Sequence, residues 1–443
     1  MSKLALLGGT PVMERLKDTD LFKWPIITKE DEDAILEVVK RNGFSGTDVT
    51  LKFQEEFANW LGVKHALAFC NGTLSLTATL FAAGIGIGDE IICPTKTYWG
   101  TISSAYNFGA TPVFCNINEN LVIDPDDIER CISPKTKAIM VVHYFGYPCQ
   151  MDKIMDIANK HNLIVIEDVS HAQGGMYKGK KLGTFGQVSA MSLMSMKSFA
   201  AGEMGMLVTN DTKMYERALA YAHYERNNAA NITESEELKD SFGIALGGCK
   251  GRVNQVSSAM GRVQLKYYDK RTEEIRKAMN YFWDLLDGLP GIHPIRVDES
   301  EGSTMGGWYS PHGRYQAEEL GGLSVKRFCE AVRAEGVEYC WEGGNNCLHT
   351  HNLFKNLDLY HTGKPTRIAF SDRDVRELDK ALEKSENITC FEVPWFKFFD
   401  KERIEKHALC YRKVVENYKD LLEHDKKEKQ GGRWFGLSND GSN

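Results

Sequence analysis

The sequence predicts an α/β fold with a mostly parallel sheet, helices on both faces and a smaller α/β unit towards the C-terminus. Three observations carry this. Between about residues 65 and 210, short runs rich in β-formers alternate with helix-like segments. Those runs are almost continuously apolar, as strands buried on both faces must be. A long amphipathic pattern over 254–288 then supplies a helix able to link the first unit to a second.

In order along the chain, residues 1–50 read as an arm and a helix. The helix, "TKEDEDAILEVVKRNG", has Thr28 as N-cap and stops at Gly43. The strands are "HALAFC" (65–70), "EIICP" (90–94), "TPVFCNI" (111–117), "KAIMVVHYF" (137–145) and "LIVIED" (163–168), with "MLVTN" near 206–210 as a further one. Helical segments are expected near 74–84, 99–108, 124–131 and 150–161. "GIGIGDE" (84–90) resembles a dinucleotide loop but has the wrong spacing. It also follows a helix and precedes a strand, so it reads as a helix-ending turn. The expected division is an arm and large unit over 1–265, a smaller C-terminal unit over 266–422, and a mobile charged, then Gly/Ser/Asn-rich tail over 423–443.

Composition narrows the function classes. Net charge is -7, without a basic stripe, which argues against nucleic acid as a partner. No run of 18 apolar residues offers a membrane span, and the start does not read as a secretory leader. Eleven scattered cysteines, none in C-x-x-C spacing, suggest reduced thiols in the cytoplasm and no structural metal.

Ligands of open parallel sheets bind beyond the carboxyl ends of the strands, so residues just after each strand are the candidates. Asn71, Gly72 and Thr73 start a helix after one strand, where free N–H groups attract an anion; a plain cap at Thr73 is the ordinary alternative. Tyr98 and Trp99 follow a second strand and could cover a flat ring or simply pack in the core. Asp168 ends another strand, with His171 three residues on; a helix cap is the alternative for Asp168. Ser192 and Lys197 come at a fourth strand end, although a lone lysine is usually a solvated charge. Together these are an anion cradle, a carboxylate for a ring nitrogen, a flat aromatic and an amine nucleophile. They meet the four needs of pyridoxal 5'-phosphate.

The blocks "LALLGGTPV", "FSGTDVTLKFQEEFANWLGVKHALAFCNGT", "GKKLGTFG" and "KSFAAGEMGMLVTND" resemble the DegT/DnrJ/EryC1/StrS family of sugar aminotransferases, within fold type I pyridoxal phosphate enzymes. The resemblance implies a Schiff-base role for Lys197 and a pyridine-nitrogen partner in Asp168. It implies a ring-hydroxyl contact from His171, a stacking ring from Tyr98, and phosphate contacts from Gly72, Thr73 and Ser192. Lys250 stands where the family commonly has an Asn that reaches the neighbouring subunit's phosphate, and His349 falls in a block that touches substrate. A homodimer with shared sites is implied, with glutamate or glutamine as amino donor and a keto-sugar or ketocyclitol as acceptor. The chain departs from the family at Met194, Met204, Lys250 and Cys347. Those departures keep two other readings open: a cofactor enzyme with a different outcome, such as dehydration or side-chain chemistry, and a non-catalytic regulator on the same scaffold.

Overall fold

The computed structural model describes residues 3–15, 20–426 and 434. Helices α1 (Lys29–Lys40) and α2 (Asp48–Leu61) lead into β1 (His65–Phe69) and α3 (Gly72–Ala82). There follow β2 (Glu90–Pro94), β3 (Thr111–Cys115), α4 (Pro125–Cys131), β4 (Thr136–Val142), α5 (Met151–His161) and β5 (Ile164–Asp168). A small hairpin of β6 (Met176–Tyr177) and β7 (Lys180–Lys181) precedes β8 (Val188–Ser192), β9 (Gly205–Thr209) and α6 (Thr212–Ala222). The seven-stranded sheet runs β1-β9-β8-β5-β4-β2-β3. β9 is antiparallel to both its neighbours, and the remaining pairings are parallel. The expected strands and their mostly parallel arrangement are therefore observed.

Several local details differ from the sequence reading for clear reasons. The expected helix near 99–108 is two short 3-10 turns, Trp99–Thr101 and Ser103–Phe108. Helix α1 does start at Thr28, in a reciprocal capping box with Asp31. Its left-handed exit residue, however, is Asn42 (φ 55°) rather than Gly43. Asn tolerates that conformation, so the glycine is not needed there. The 84–90 turn behaves as expected: Gly84 and Gly88 take positive φ between α3 and β2.

The long helix α7 (Gln255–Leu285) is continuous and crosses residue 265. Beyond it lie β10 (Ile292–Pro294), β11 (His312–Tyr315), α8 (Val325–Ala334), α9 (Asn352–Lys355), α10 (Glu383–Glu386), β12 (Cys390–Glu392), α11 (Lys401–Glu416) and α12 (Lys419–Leu422). β10, β11 and β12 form a three-stranded antiparallel sheet. Its core takes in Leu4 and Leu21 from the arm, while Leu348, Phe354 and Leu382 pack into the core of the large sheet. The cores thus interleave in sequence. The tail expectation over 423–443 falls mainly outside the described residues; Trp434 is described, and its ring meets His351 at 4.5 Å.

Glu167 shows how the end of β5 is held. It is fully buried, and its carboxylate accepts N–H bonds from Gly183 (2.8 Å), Phe185 (2.8 Å) and Gly186 (2.7 Å) and faces His143 Nε2 at 3.1 Å. Burial alone would raise its pKa; His143 and the N–H groups outweigh burial and hold it below the ordinary value. The "GKKLGTFG" loop is thus moulded around one carboxylate. Glu167→Gln turns an amide donor towards N–H donors and should cost about 3 kcal/mol in denaturant unfolding.

Candidate active site

A cavity of about 400 Å³ opens at the carboxyl edge of the large sheet. Gly72, Thr73, Tyr98, Asp168, His171, Ser192 and Lys197 all line it. Each arrives from the end of a strand, as follows.

After β1, Asn71 caps α3 by accepting the Leu74 N–H at 2.8 Å. The cap is therefore Asn71 and not Thr73, which leaves the first-turn N–H groups of Gly72 and Thr73 without a helix acceptor. Gly72 is a glycine for a packing reason: a Cβ there would lie 2.5 Å from the Cβ of Ser192 and 2.7 Å from its Cα. The start of α3 is pressed onto the end of β8, which puts two N–H groups beside the Ser192 hydroxyl. After β2, the Tyr98 ring lies so close over Gly100 that a Cβ would sit 2.6 Å from it.

Asp168 is the last residue of β5 and is buried. Its Oδ1 accepts the Ser170 N–H at 3.0 Å and its Oδ2 accepts the Thr101 hydroxyl at 2.8 Å. The chain after it turns without forming a helix, so the helix-cap alternative does not hold. His171 Nδ1 accepts the Phe145 N–H at 3.2 Å. The ring proton then belongs on Nε2, making that nitrogen a donor. Burial, with the charges of Lys197 and His312 beside it, holds His171 well below the ordinary imidazole pKa, and the ring is neutral.

Lys197 follows β8 on a short loop. Its Nζ lies 4.1 Å from the centre of the Tyr309 ring. Burial lowers its pKa to about 8, against the opposing pull of Asp168. An amine with that pKa is partly unprotonated near neutral pH, which a solvated lysine is not.

Two sequence candidates do not reach this cavity within the chain. Lys250 is exposed, with its Nζ 5.8 Å from the Tyr224 ring centre. His349 is buried elsewhere, its ring nitrogens engaged by the Thr95 hydroxyl (2.6 Å) and Glu386 (3.1 Å). Among the described residues, Cys115, Asp127 and Cys131 gather potential ligand atoms within 4.8 Å. Arg130 already clamps Asp127 through two bonds of 2.6 and 2.7 Å, and burial pushes the Cys115 thiol well up, so the trio is a hydrogen-bonded corner.

Sequence reasoning missed Phe145 and, from the second unit, Tyr309, His312, Trp341 and Glu392, which also line the cavity. Phe145 follows β4, so the strand-end rule could have found it. It takes φ 51° and stacks on His312 at 3.8 Å with the rings 12° apart. Trp308 (φ 54°) and Ser310 (φ 47°) are likewise left-handed, on either side of Tyr309. Such strain in non-glycine residues gathers at functional sites.

The model of the DegT/DnrJ/EryC1/StrS aminotransferase family matches residues 25–370. The chain belongs to that family. A relative from Micromonospora echinospora carries the provisional name L-glutamine:3-amino-2,3-dideoxy-scyllo-inosose aminotransferase. It is 32% identical over 357 residues, which cover 80% of this chain and 82% of the relative. GDP-perosamine synthase of Escherichia coli O157:H7 is 34% identical over 276 residues, covering 62% of this chain and 73% of that protein. The crystal structure of an aminotransferase from Psychrobacter cryohalolentis superposes with a TM-score of 0.75 at 28% identity, over 90% of this chain and 99% of that one. The protein is accordingly an aminotransferase with the fold type I architecture of pyridoxal phosphate enzymes.

The Lys197 environment yields a measurable consequence in the cofactor-free protein. Labelling of Lys197 by an amine-selective reagent, followed by peptide mapping over a pH series, should rise with a midpoint near 8 instead of the ordinary 10.5. Asp168 favours the charged amine, so Asp168→Asn should move that midpoint lower still.

Proposed function

We propose that this aminotransferase uses pyridoxal 5'-phosphate and transfers an amino group from glutamate or glutamine to a keto-sugar or ketocyclitol. The observation that carries the reading is the meeting of Lys197, Asp168, His171 and the Gly72–Thr73 N–H groups in one cavity. The donor set fits the cofactor. Unsatisfied N–H groups with the Ser192 hydroxyl suit a phosphate. A buried carboxylate suits a protonated ring nitrogen, and a neutral imidazole donor suits a ring oxygen.

Bound there, the cofactor supplies the electron sink that lets a carbon bearing nitrogen lose its proton. The remaining work belongs to the chain. Gly72, Thr73 and Ser192 hold the anion. Asp168, fixed by Thr101 and Ser170, would favour a proton on the cofactor's ring nitrogen. Tyr98, which lines the cavity, would pack against the ring and limit water. Lys197 Nζ takes and returns the transferred proton, a task matched to an amine with a pKa of about 8.

The relative from Micromonospora echinospora is named for glutamine and a cyclitol ketone. A ketocyclitol is therefore the favoured acceptor, with glutamine as the favoured donor.

The reading extends to a cytoplasmic homodimer. Lys250 would then serve the neighbouring subunit's phosphate, since it is exposed outside its own cavity and follows in sequence the exposed Phe242, Ile244 and Leu246. The units over 1–265 and 266–422 would share the long helix α7, which crosses their boundary.

Adding glutamine or glutamate to the cofactor-loaded protein should convert its visible absorption band to that of the aminated cofactor. A band that ignores both donors favours the different-outcome enzyme, and no band at all favours the regulator. Lys197→Ala should slow transfer by about a thousandfold or more. In a panel of acceptors, phosphate-free ketocyclitols should be aminated faster than nucleotide-linked keto-sugars.

A further inference from the structure

Beneath Lys197, four segments distant in sequence meet in an aromatic junction that the transfer mechanism above does not use. Trp24, from the N-terminal arm, donates its indole N–H to the backbone carbonyl of Lys197 at 2.8 Å. Its ring lies 5.9 Å from that of Trp395, tilted by 44°. Trp395 in turn donates its indole N–H to the carbonyl of Gly307 at 3.0 Å. It also meets the Tyr309 ring edge-on at 5.8 Å and 87°. Tyr309 is the ring that carries the Lys197 Nζ on its face.

A second lysine closes the junction. Lys397 is only 3% exposed, and its Nζ lies over the Trp395 ring and 5.3 Å from the centre of Trp24. Its backbone N–H bonds the carbonyl of Leu21 at 2.9 Å, which ties this segment to the arm just before Trp24. Burial holds the Lys397 amine well below the ordinary lysine pKa.

We propose that Trp24 and Trp395, braced by Lys397, are positioning residues for Lys197. Trp24 fixes the lysine's backbone, and Trp395 fixes the ring under its amine. The proposal rests on the role given to Lys197 under the proposed function. The physical need is plain. A lysine side chain has four rotatable bonds and loses about 2 kcal/mol of rotamer freedom when held in one shape. A base that must reach two neighbouring atoms in turn works only if its root and its tip are both restrained. The Lys197 N–H is held by the Met194 carbonyl at 2.8 Å, and Trp24 holds the other side of the same residue. The tip rests on Tyr309, whose position depends on Trp395 through both a ring contact and the Gly307 carbonyl two residues earlier.

The test uses the full-length protein with Trp24→Phe, Trp395→Phe and Lys397→Met. Phe keeps a ring and removes the N–H donor; Met keeps the stem and removes the amine. Three properties are read: the melting midpoint, the visible spectrum and rate of borohydride-trapped labelling of Lys197 with pyridoxal phosphate, and the separate kcat and KM of transfer. The expected result for folded Trp24→Phe is a displaced absorption maximum, slower labelling of Lys197 and a kcat lower by about tenfold with little change in KM, the size of one lost hydrogen bond. Trp395→Phe should act in the same direction, and Lys397→Met more weakly. Folded variants with wild-type spectrum, labelling rate and kcat overturn the proposal. So does a loss of activity that only follows the folded fraction, or failure of all three variants to fold, since either makes the junction simple core packing. If the wild-type chain itself takes no label at Lys197, the cofactor reading fails first. If wild type and variants label alike, the positioning role alone falls.

Discussion

Strand direction is the constraint on which the site depends. β1, β8, β5, β4, β2 and β3 point the same way, so their carboxyl ends must lie along one edge of the sheet. Register then decides which residues share a level. Val142 pairs with Asp168 and Asp168 with Ala190, so the exits of β4, β5 and β8 stand side by side. Gly205 of β9 pairs with Phe69 on one side and Ser192 on the other, which binds the β1 exit to the β8 exit. Backbone hydrogen bonds thereby bring residues as far apart in sequence as Gly72 and Lys197 to one cavity before any side chain is considered.

Within that frame, the electrostatics follow from burial. Moving an ammonium out of water favours its neutral form, and a nearby carboxylate favours the charged one. At Lys197 burial prevails, and Asp168 keeps the shift from going further. Asp168 can remain a hydrogen-bond acceptor there because the Thr101 hydroxyl and the Ser170 N–H are aimed at it. His171 is held neutral by the same surroundings, and the Phe145 N–H decides which of its nitrogens carries the proton. One buried pocket thus contains an amine of lowered pKa, a hydrogen-bonded carboxylate and a neutral imidazole.

The wall built from strand ends was legible in the sequence because a parallel sheet converts position after a strand into position in space. Tyr98, Asp168, His171 and Lys197 could be read off in this way without knowing which strands are neighbours. The lining from the second unit could not. Tyr309 lies in a turn just before β11, where Trp308 and Ser310 adopt left-handed conformations that residue type does not announce, and His312 opens a short strand of the second sheet. Trp341 comes from a Gly-rich loop with no periodicity to place it. His349 was reached by pattern alone, and its side chain turns to Thr95 and Glu386 inside the structure, a packing that the block does not announce. Long-range packing such as Trp24 on Lys197 leaves no local trace, since residues 24, 197, 307 and 395 are joined only by the folded chain.

The departures from the family pattern separate cleanly once the packing is known. In "GEMG", Met204 departs from the family pattern and is fully buried in the cluster with Phe53, Phe57 and Phe199. Its carbonyl still accepts the Leu193 N–H at 2.8 Å, so the side chain changes the core and leaves the loop's backbone path intact. Gly205 has no such freedom, because a Cβ would meet the Asn71 carbonyl oxygen at 2.3 Å and push α3 away from β8. Met194 differs from both, for it lines the cavity itself. A polarizable and flexible side chain at that point forms part of the cavity lining, three residues before Lys197. The departure at residue 194 therefore lies in the cavity wall, and the one at residue 204 lies in the core.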